Sequence, residues 1–223
     1  MEITLIDNVS KSELAEIKKM IGEAFITNEL FHEFGDINDR KELVMKYMDI
    51  YTDYVYESKA LYGTENHKGI VGFIHSKKAS MYPQLKMLIR LLKVIPFKTL
   101  KKYMSHIKQI TGSNKQYATK PHIDILFVCV DKEYQGKGYA RYLVEAAKKY
   151  AEEESVPLLF DTDMERYAQI YQHYGCELYN QTLASNGVTR YNLVILSILV
   201  YTLFSRMFDL TQPPVVKHSI AVA

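Results

Sequence analysis

Apolar and polar residues alternate along this chain in two periods, one of strands and one of helices. Ile3 to Leu5 reads as a short strand, and Ser10 or Ser12 is placed to cap a helix whose inward face is Leu14, Ile17, Met20, Ile21 and Phe25. A second helix is predicted from about Asp39 to Tyr56. Leu61–Thr64 and Ile70–His75 then form a strand pair across the polar turn Glu65 to Gly69. Residues 79–108 carry two helical patterns parted by Pro96, with Leu85, Met87, Leu88, Leu91 and Leu92 in the first. The apolar run Ile123 to Val130 is long enough for one buried strand. Its alternation sets Asp124 opposite Ile123 and Ile125 and on the face of Leu126. A helix follows whose spacing puts Tyr139, Leu143, Ala146, Ala147 and Tyr150 on one side.

The C-terminal end reads differently. After Glu177–Asn180 a turn at Ser185-Asn186-Gly187 separates two strands, and the second, Val188 to Val194, closes the domain. The chain then continues apolar and without alternation to Phe204. Counted from Leu193 this run has 12 residues, short of the roughly 20 that span a bilayer. We expect a packed or partner-contacting extension, and no membrane partner.

Between the strand and the helix at the centre of the chain stands Gln135-Gly136-Lys137-Gly138-Tyr139-Ala140. Glycine permits positive φ and removes the side chain that would keep a ligand from the backbone. The first turn of a helix adds unpaired N–H groups and a partial positive charge, which suit a phosphate or pyrophosphate. A tight strand-to-helix connection uses the same residues. Two familiar phosphate loops do not fit. The third glycine of a dinucleotide fingerprint is replaced by Arg141, and Lys137 is followed by Gly138 rather than by the Ser or Thr of a Walker loop.

Val130-Asp131-Lys132-Glu133-Tyr134-Gln135-Gly136-Lys137-Gly138-Tyr139-Ala140 resembles the signature of the GNAT superfamily of acetyl-CoA-dependent N-acetyltransferases. Downstream, Pro157–Asp161 looks like that family's fifth strand. Ala168 to Cys176 looks like its Ala-x-x-Tyr-x-x-x-Gly-Phe segment, with Cys176 in place of Phe and Met164 where an asparagine is common. The resemblance is specific from about Ile123 to Leu178. It implies an α/β (α+β) fold with a mixed, mostly antiparallel central sheet flanked by helices on both faces. It places an acetyltransferase domain at residues 1–194, a helical insertion at about 79–110 and an extension at 195–223.

The resemblance also implies direct transfer of acetyl from acetyl-CoA to a primary amine, in the first instance of a small molecule. A protein N-terminus or lysine is an alternative acceptor, and a non-catalytic acyl-CoA-binding module an alternative function. Phe127, Val128, Cys129 and Val130 would present backbone to the cofactor. Gln135, Gly136, Lys137, Gly138, Tyr139 and Ala140 would hold its pyrophosphate, Lys137 either adding charge or standing in solvent. Tyr171 falls at the family's general-acid position, and an unperturbed tyrosine, with a pKa near 10, stays protonated at neutral pH. Asp124 is the first candidate for the base, with His122 and His173 behind it. Phe31, His32, Glu33 and Phe34 either overhang the acceptor pocket or form a packed loop.

Composition narrows this little further. A chain of 223 residues, 48% hydrophobic, can bury one substantial core, and a formal net charge of +2 gives no case for nucleic acid as a partner. The Lys and Arg between Lys86 and Lys108 read as solvated helix faces. The apolar content of that insertion could also serve a homodimer. Cys129 and Cys176 are the only cysteines, so neither a disulfide framework nor a metal cluster is legible, and a cytoplasmic setting fits. Met1-Glu2-Ile3 lacks the basic and apolar regions of a signal peptide.

Overall fold

The computed structural model describes residues 2–111, 117 and 119–196. Seven strands, β1 (Ile3–Leu5), β2 (Leu61–Thr64), β3 (Gly69–His75), β4 (Ile123–Val130), β5 (Leu158–Thr162), β6 (Glu177–Leu183) and β7 (Thr189–Ile195), form one sheet. Their order is β1-β2-β3-β4-β5-β7-β6, and only β4 and β5 run parallel. The C-terminal apolar run begins inside this sheet, because β7 takes in Leu193 to Ile195. Its continuation from residue 197 lies outside the described residues.

Helices α1 (Lys11–Phe25) and α2 (Ile37–Glu57) cover one face. Ser10 begins α1 with both halves of a capping box: its Oγ accepts from the Glu13 N–H at 3.2 Å, and Glu13 Oε2 accepts from the Ser10 N–H at 2.8 Å. That decides between the two candidate caps. Ile17, Ile21, Val44, Met48 and Val55 pack there with Leu61, Ile70, Phe127 and Cys129. The other face holds α5 (Tyr139–Glu153) and α6 (Glu165–His173), with Leu143, Val144, Ala147 and Tyr171 packed with Phe73, Ile125, Phe160 and Leu193. The buried stripe of α5 is Leu143, Val144, Ala147 and Ala151 rather than the expected face. Tyr139 and Tyr150 sit at its half-exposed margins, where the Tyr150 hydroxyl accepts from Lys78 Nζ at 3.1 Å. An amphipathic ring packs its body and keeps its hydroxyl wet.

Two further helices, α3 (Met81–Val94) and α4 (Phe97–Thr111), follow β3 and meet at Ile95-Pro96. α3 packs mainly on α2, with Arg90 Nη1 2.6 Å from Asp53 Oδ2.

The strand phase of β4 departs from simple alternation. Gly72 pairs with Phe127 but Phe73 pairs with Ile125, so Leu126 is an extra residue on β4, a β-bulge. Ile123, Ile125, Val128 and Val130 therefore pack toward α5, while Phe127 and Cys129 pack toward α1 and α2. The bulge reverses the faces that alternation alone assigns beyond it. Pairing of β4 with β5 covers Ile123–Ile125 against Leu158–Phe160, and beyond it the two strands line opposite sides of a cavity.

Candidate active site

The cavity has a volume of about 860 Å³. β4 contributes Leu126 to Val130 to its wall, and β5 with its following turn contributes Phe160 to Met164. At one end is the glycine loop. Gly136 (φ 74°) and Gly138 (φ 83°) both hold the left-handed conformation, which costs other residues strain. A Cβ at either would meet nothing within 4 Å, so the backbone there is open to a ligand. The hydrogen-bond ladder of α5 starts with the Tyr142 N–H donating to the Gly138 carbonyl at 3.0 Å, which leaves the N–H groups of Tyr139, Ala140 and Arg141 ahead of it. Gln135 Nε2 donates to the Val130 carbonyl at 3.2 Å and ties the loop to the end of β4.

Of the residues singled out from sequence, Phe127, Val128, Cys129, Val130, Gln135, Gly136, Gly138, Tyr139, Ala140 and Tyr171 line this cavity. Lys137 does not. It is exposed, with Nζ over the Tyr134 ring at 4.8 Å. Tyr171 stands on α6 with its ring edge-on to Phe160 at 4.0 Å and is 9% exposed. Burial drives its phenol well above the ordinary value, Tyr167 adding to the shift, so the hydroxyl keeps its proton at neutral pH. The Cys129 thiol is likewise pushed up to about 12 by burial. It is therefore a thiol and not a ready nucleophile.

Asp124 is not brought to the cavity wall. Its Oδ2 lies 3.0 Å from His122 Nε2, while His122 Nδ1 lies 2.6 Å from the Lys120 carbonyl. Both nitrogens thus face acceptors, a carbonyl and a carboxylate, which favours the doubly protonated imidazole. The Asp124 hydrogen bond holds the His122 pKa above its ordinary value. His173 is exposed at the end of α6. Phe31 and Phe34 form the packed alternative, buried among Tyr47 and Tyr103 with ring centroids 5.1–6.0 Å apart. Glu33 is drawn toward Lys102 and His106. Thr27, Asn28 and Leu30 supply that segment's contribution to the cavity instead.

Sequence reading missed the polar cluster at the far end. Arg190 on β7 is 6% exposed and grips Asp163 with both arms, Nε to Oδ1 at 2.6 Å and Nη2 to Oδ2 at 3.0 Å. Its Nη1 lies 2.6 Å from Asp161 Oδ2. Burial alone would depress the guanidinium, but Asp161 and Asp163 hold it charged. Burial raises the Asp163 carboxyl, with Arg190 opposing. Asp161 keeps 44% of its side chain exposed. The signal available in sequence was two aspartates flanking Thr162, but their partner is 27 residues away from Asp163.

The model of the acetyltransferase (GNAT) family matches residues 39–175. The chain belongs to the GNAT family. No curated protein matches it. Solved structures share the GNAT fold at low identity. An N-acetyltransferase from Staphylococcus aureus Mu50 is 14% identical over 87% of this chain and 100% of its own, with a TM-score of 0.52. Arylalkylamine N-acetyltransferase 2 from Aedes aegypti is 14% identical over 86% of this chain and 96% of its own, with a TM-score of 0.54. An agmatine N-acetyltransferase is 12% identical over 86% and 98%, with a TM-score of 0.51. The mixed sheet with helices on both faces agrees with the fold that the signature implied.

Proposed function

We propose that this GNAT protein transfers acetyl from acetyl-CoA directly to a primary amine of a small molecule. The observation that carries the reading is the meeting, in one cavity, of a glycine-opened helix N-terminus, a bulged strand and a buried, protonated tyrosine. The residues fit the cofactor. Open backbone at Gly136 and Gly138 and the leading N–H groups of α5 suit its pyrophosphate. Acetyl-CoA supplies a thioester whose carbonyl carbon the amine attacks and whose thiolate leaves. Backbone N–H groups of β4 beside the bulge orient and polarise that carbonyl, and Tyr171 protonates the leaving sulfur. The protonated Cys129 favours direct attack over an acyl-cysteine intermediate.

Asp161 takes the role first considered for Asp124. Asp124 is paired with His122 and does not line the cavity, whereas Asp161 is the cavity carboxylate most open to water. Two aspartates share Arg190, so this cluster by itself carries one net negative charge, which draws an ammonium and provides an acceptor for its proton. Two of the structural neighbours carry small amines in their names, in keeping with this acceptor class.

A panel of amines scored by thiol release from acetyl-CoA tests the reading. The wild-type protein should turn over small primary amines, and Asp161→Asn should lower kcat/KM by about 10- to 100-fold. Tight acetyl-CoA binding with no release for any small amine would favour a protein acceptor or a regulatory module. The loop has its own test. Gly138→Asp adds a side chain and like charge beside the pyrophosphate and should raise the acetyl-CoA Kd at least tenfold, or ~1.4 kcal/mol. Unchanged affinity by calorimetry in a folded variant would remove the loop from the cofactor site.

A further inference from the structure

Between Glu65 and Asp124 the chain has twelve Lys and Arg and no Asp or Glu, although its overall formal charge is only +2. α3 and α4 lie within this span, and the fold uses only one side of each. α3 turns Pro83 and Leu91 inward, yet Met81 is 84% exposed, Tyr82 75% and Leu85 56%, with Leu88, Ile89 and Leu92 exposed beside them. At about 100° per residue these six fall within one arc of roughly 120°, apart from the inward side. α4 repeats the pattern. Leu100, Tyr103 and Ile110 point inward, while Phe97 (71% exposed) and Met104 share the outer side with Lys101 and Lys108.

The basic residues divide in the same way. Lys86 and Arg90 are paired with Glu57 and Asp53 on α2. Lys93, Lys98, Lys101 and Lys108 are exposed, with no ion-pair partner among the described residues. Helical spacing alone had suggested solvated faces or a homodimer surface, because spacing does not separate buried apolar positions from exposed ones. No helix among the described residues is long and apolar enough to cross a membrane.

We propose that the exposed apolar arc of α3, together with the exposed lysines that follow it across Pro96 into α4, docks on a bilayer surface containing anionic phospholipid. The apolar side chains enter the headgroup boundary, and the unpaired lysines face the lipid charge. Charge complementarity decides among occupants. A second copy seated on the same face would bring two basic rims together without an acidic residue to meet them, and a nucleic acid would leave Met81, Leu85 and Leu92 against a polar backbone.

The test is co-sedimentation of the full chain with vesicles of phosphatidylcholine, with and without about 30% phosphatidylserine. The anionic vesicles should bind at least tenfold more protein, and about 0.5 M salt should reverse most of the difference. Leu85→Ser with Leu92→Ser, and separately Lys98→Gln with Lys101→Gln, should each cut binding at least fivefold, with melting temperature and acetyl transfer unchanged. Equal binding to both vesicles, or anionic binding that survives both pairs of substitutions, would overturn the proposal. So would a concentration-dependent dimer that the leucine substitutions abolish, which would assign the face to a second copy.

Discussion

Tyr171→Phe should slow acetyl transfer by about 10² to 10⁴ while leaving the fold and acetyl-CoA binding intact. Phenylalanine keeps the ring that packs edge-on against Phe160 and removes only the hydroxyl. Loss should fall mainly on kcat, because the proton matters most as charge builds on the departing sulfur. Burial raises the Tyr171 pKa, so the acid form persists through the ordinary tyrosine value of about 10. Below that pH, deprotonation of Tyr171 should not limit the wild-type rate. With an assigned acceptor and chemistry limiting turnover, a variant retaining more than half of wild-type kcat would exclude Tyr171 as the acid.

Much of the glycine-loop end of the cavity was legible because it is local. The glycine loop, the strand before it and the helix after it are contiguous, and their geometry depends on neighbours a few residues away. The phase of β4 was not legible. In Ile123-Asp124-Ile125-Leu126-Phe127-Val128-Cys129-Val130 nearly every position is apolar, so nothing in the pattern marks Leu126 as the extra residue; only the register against β3 does. Phe31 and Phe34 illustrate the same limit. Their burial depends on Tyr47 from α2 and Tyr103 from α4, contacts between distant parts of the chain. Asp124 was the first candidate for the base because it stands on the central strand where many members of the resembled family carry Glu. In the structure it pairs with His122, two residues earlier, and does not line the cavity. The Arg190 cluster required the antiparallel pairing of β5 with β7, which brings Arg190 to Asp161 and Asp163.

That last cluster predicts the largest stability effect. Arg190→Leu removes the cation that grips Asp163 with two hydrogen bonds and leaves a carboxylate only 4% exposed without its counter-charge. Breaking one side of such a buried pair costs about 3–5 kcal/mol, a fall in Tm on the order of 10 °C for a chain of this size. The pH dependence has a definite sign. Burial already raises the Asp163 pKa, and loss of Arg190 removes the opposing influence, so the folded variant takes up a proton more readily than its unfolded chain. Its stability deficit should therefore shrink as pH falls toward the ordinary carboxylate range and be greatest at neutral pH. Arg190→Leu with Asp163→Leu should recover most of the loss at pH 7, since two apolar side chains replace a pair whose desolvation was itself unfavourable. Asp161, half exposed, keeps water as its partner in both variants. Thermal melts of the single and double variants at pH 7 and pH 5 decide the matter: a double variant no more stable than the single, or a deficit that grows on acidification, would mean that Asp163 is not the group Arg190 stabilises.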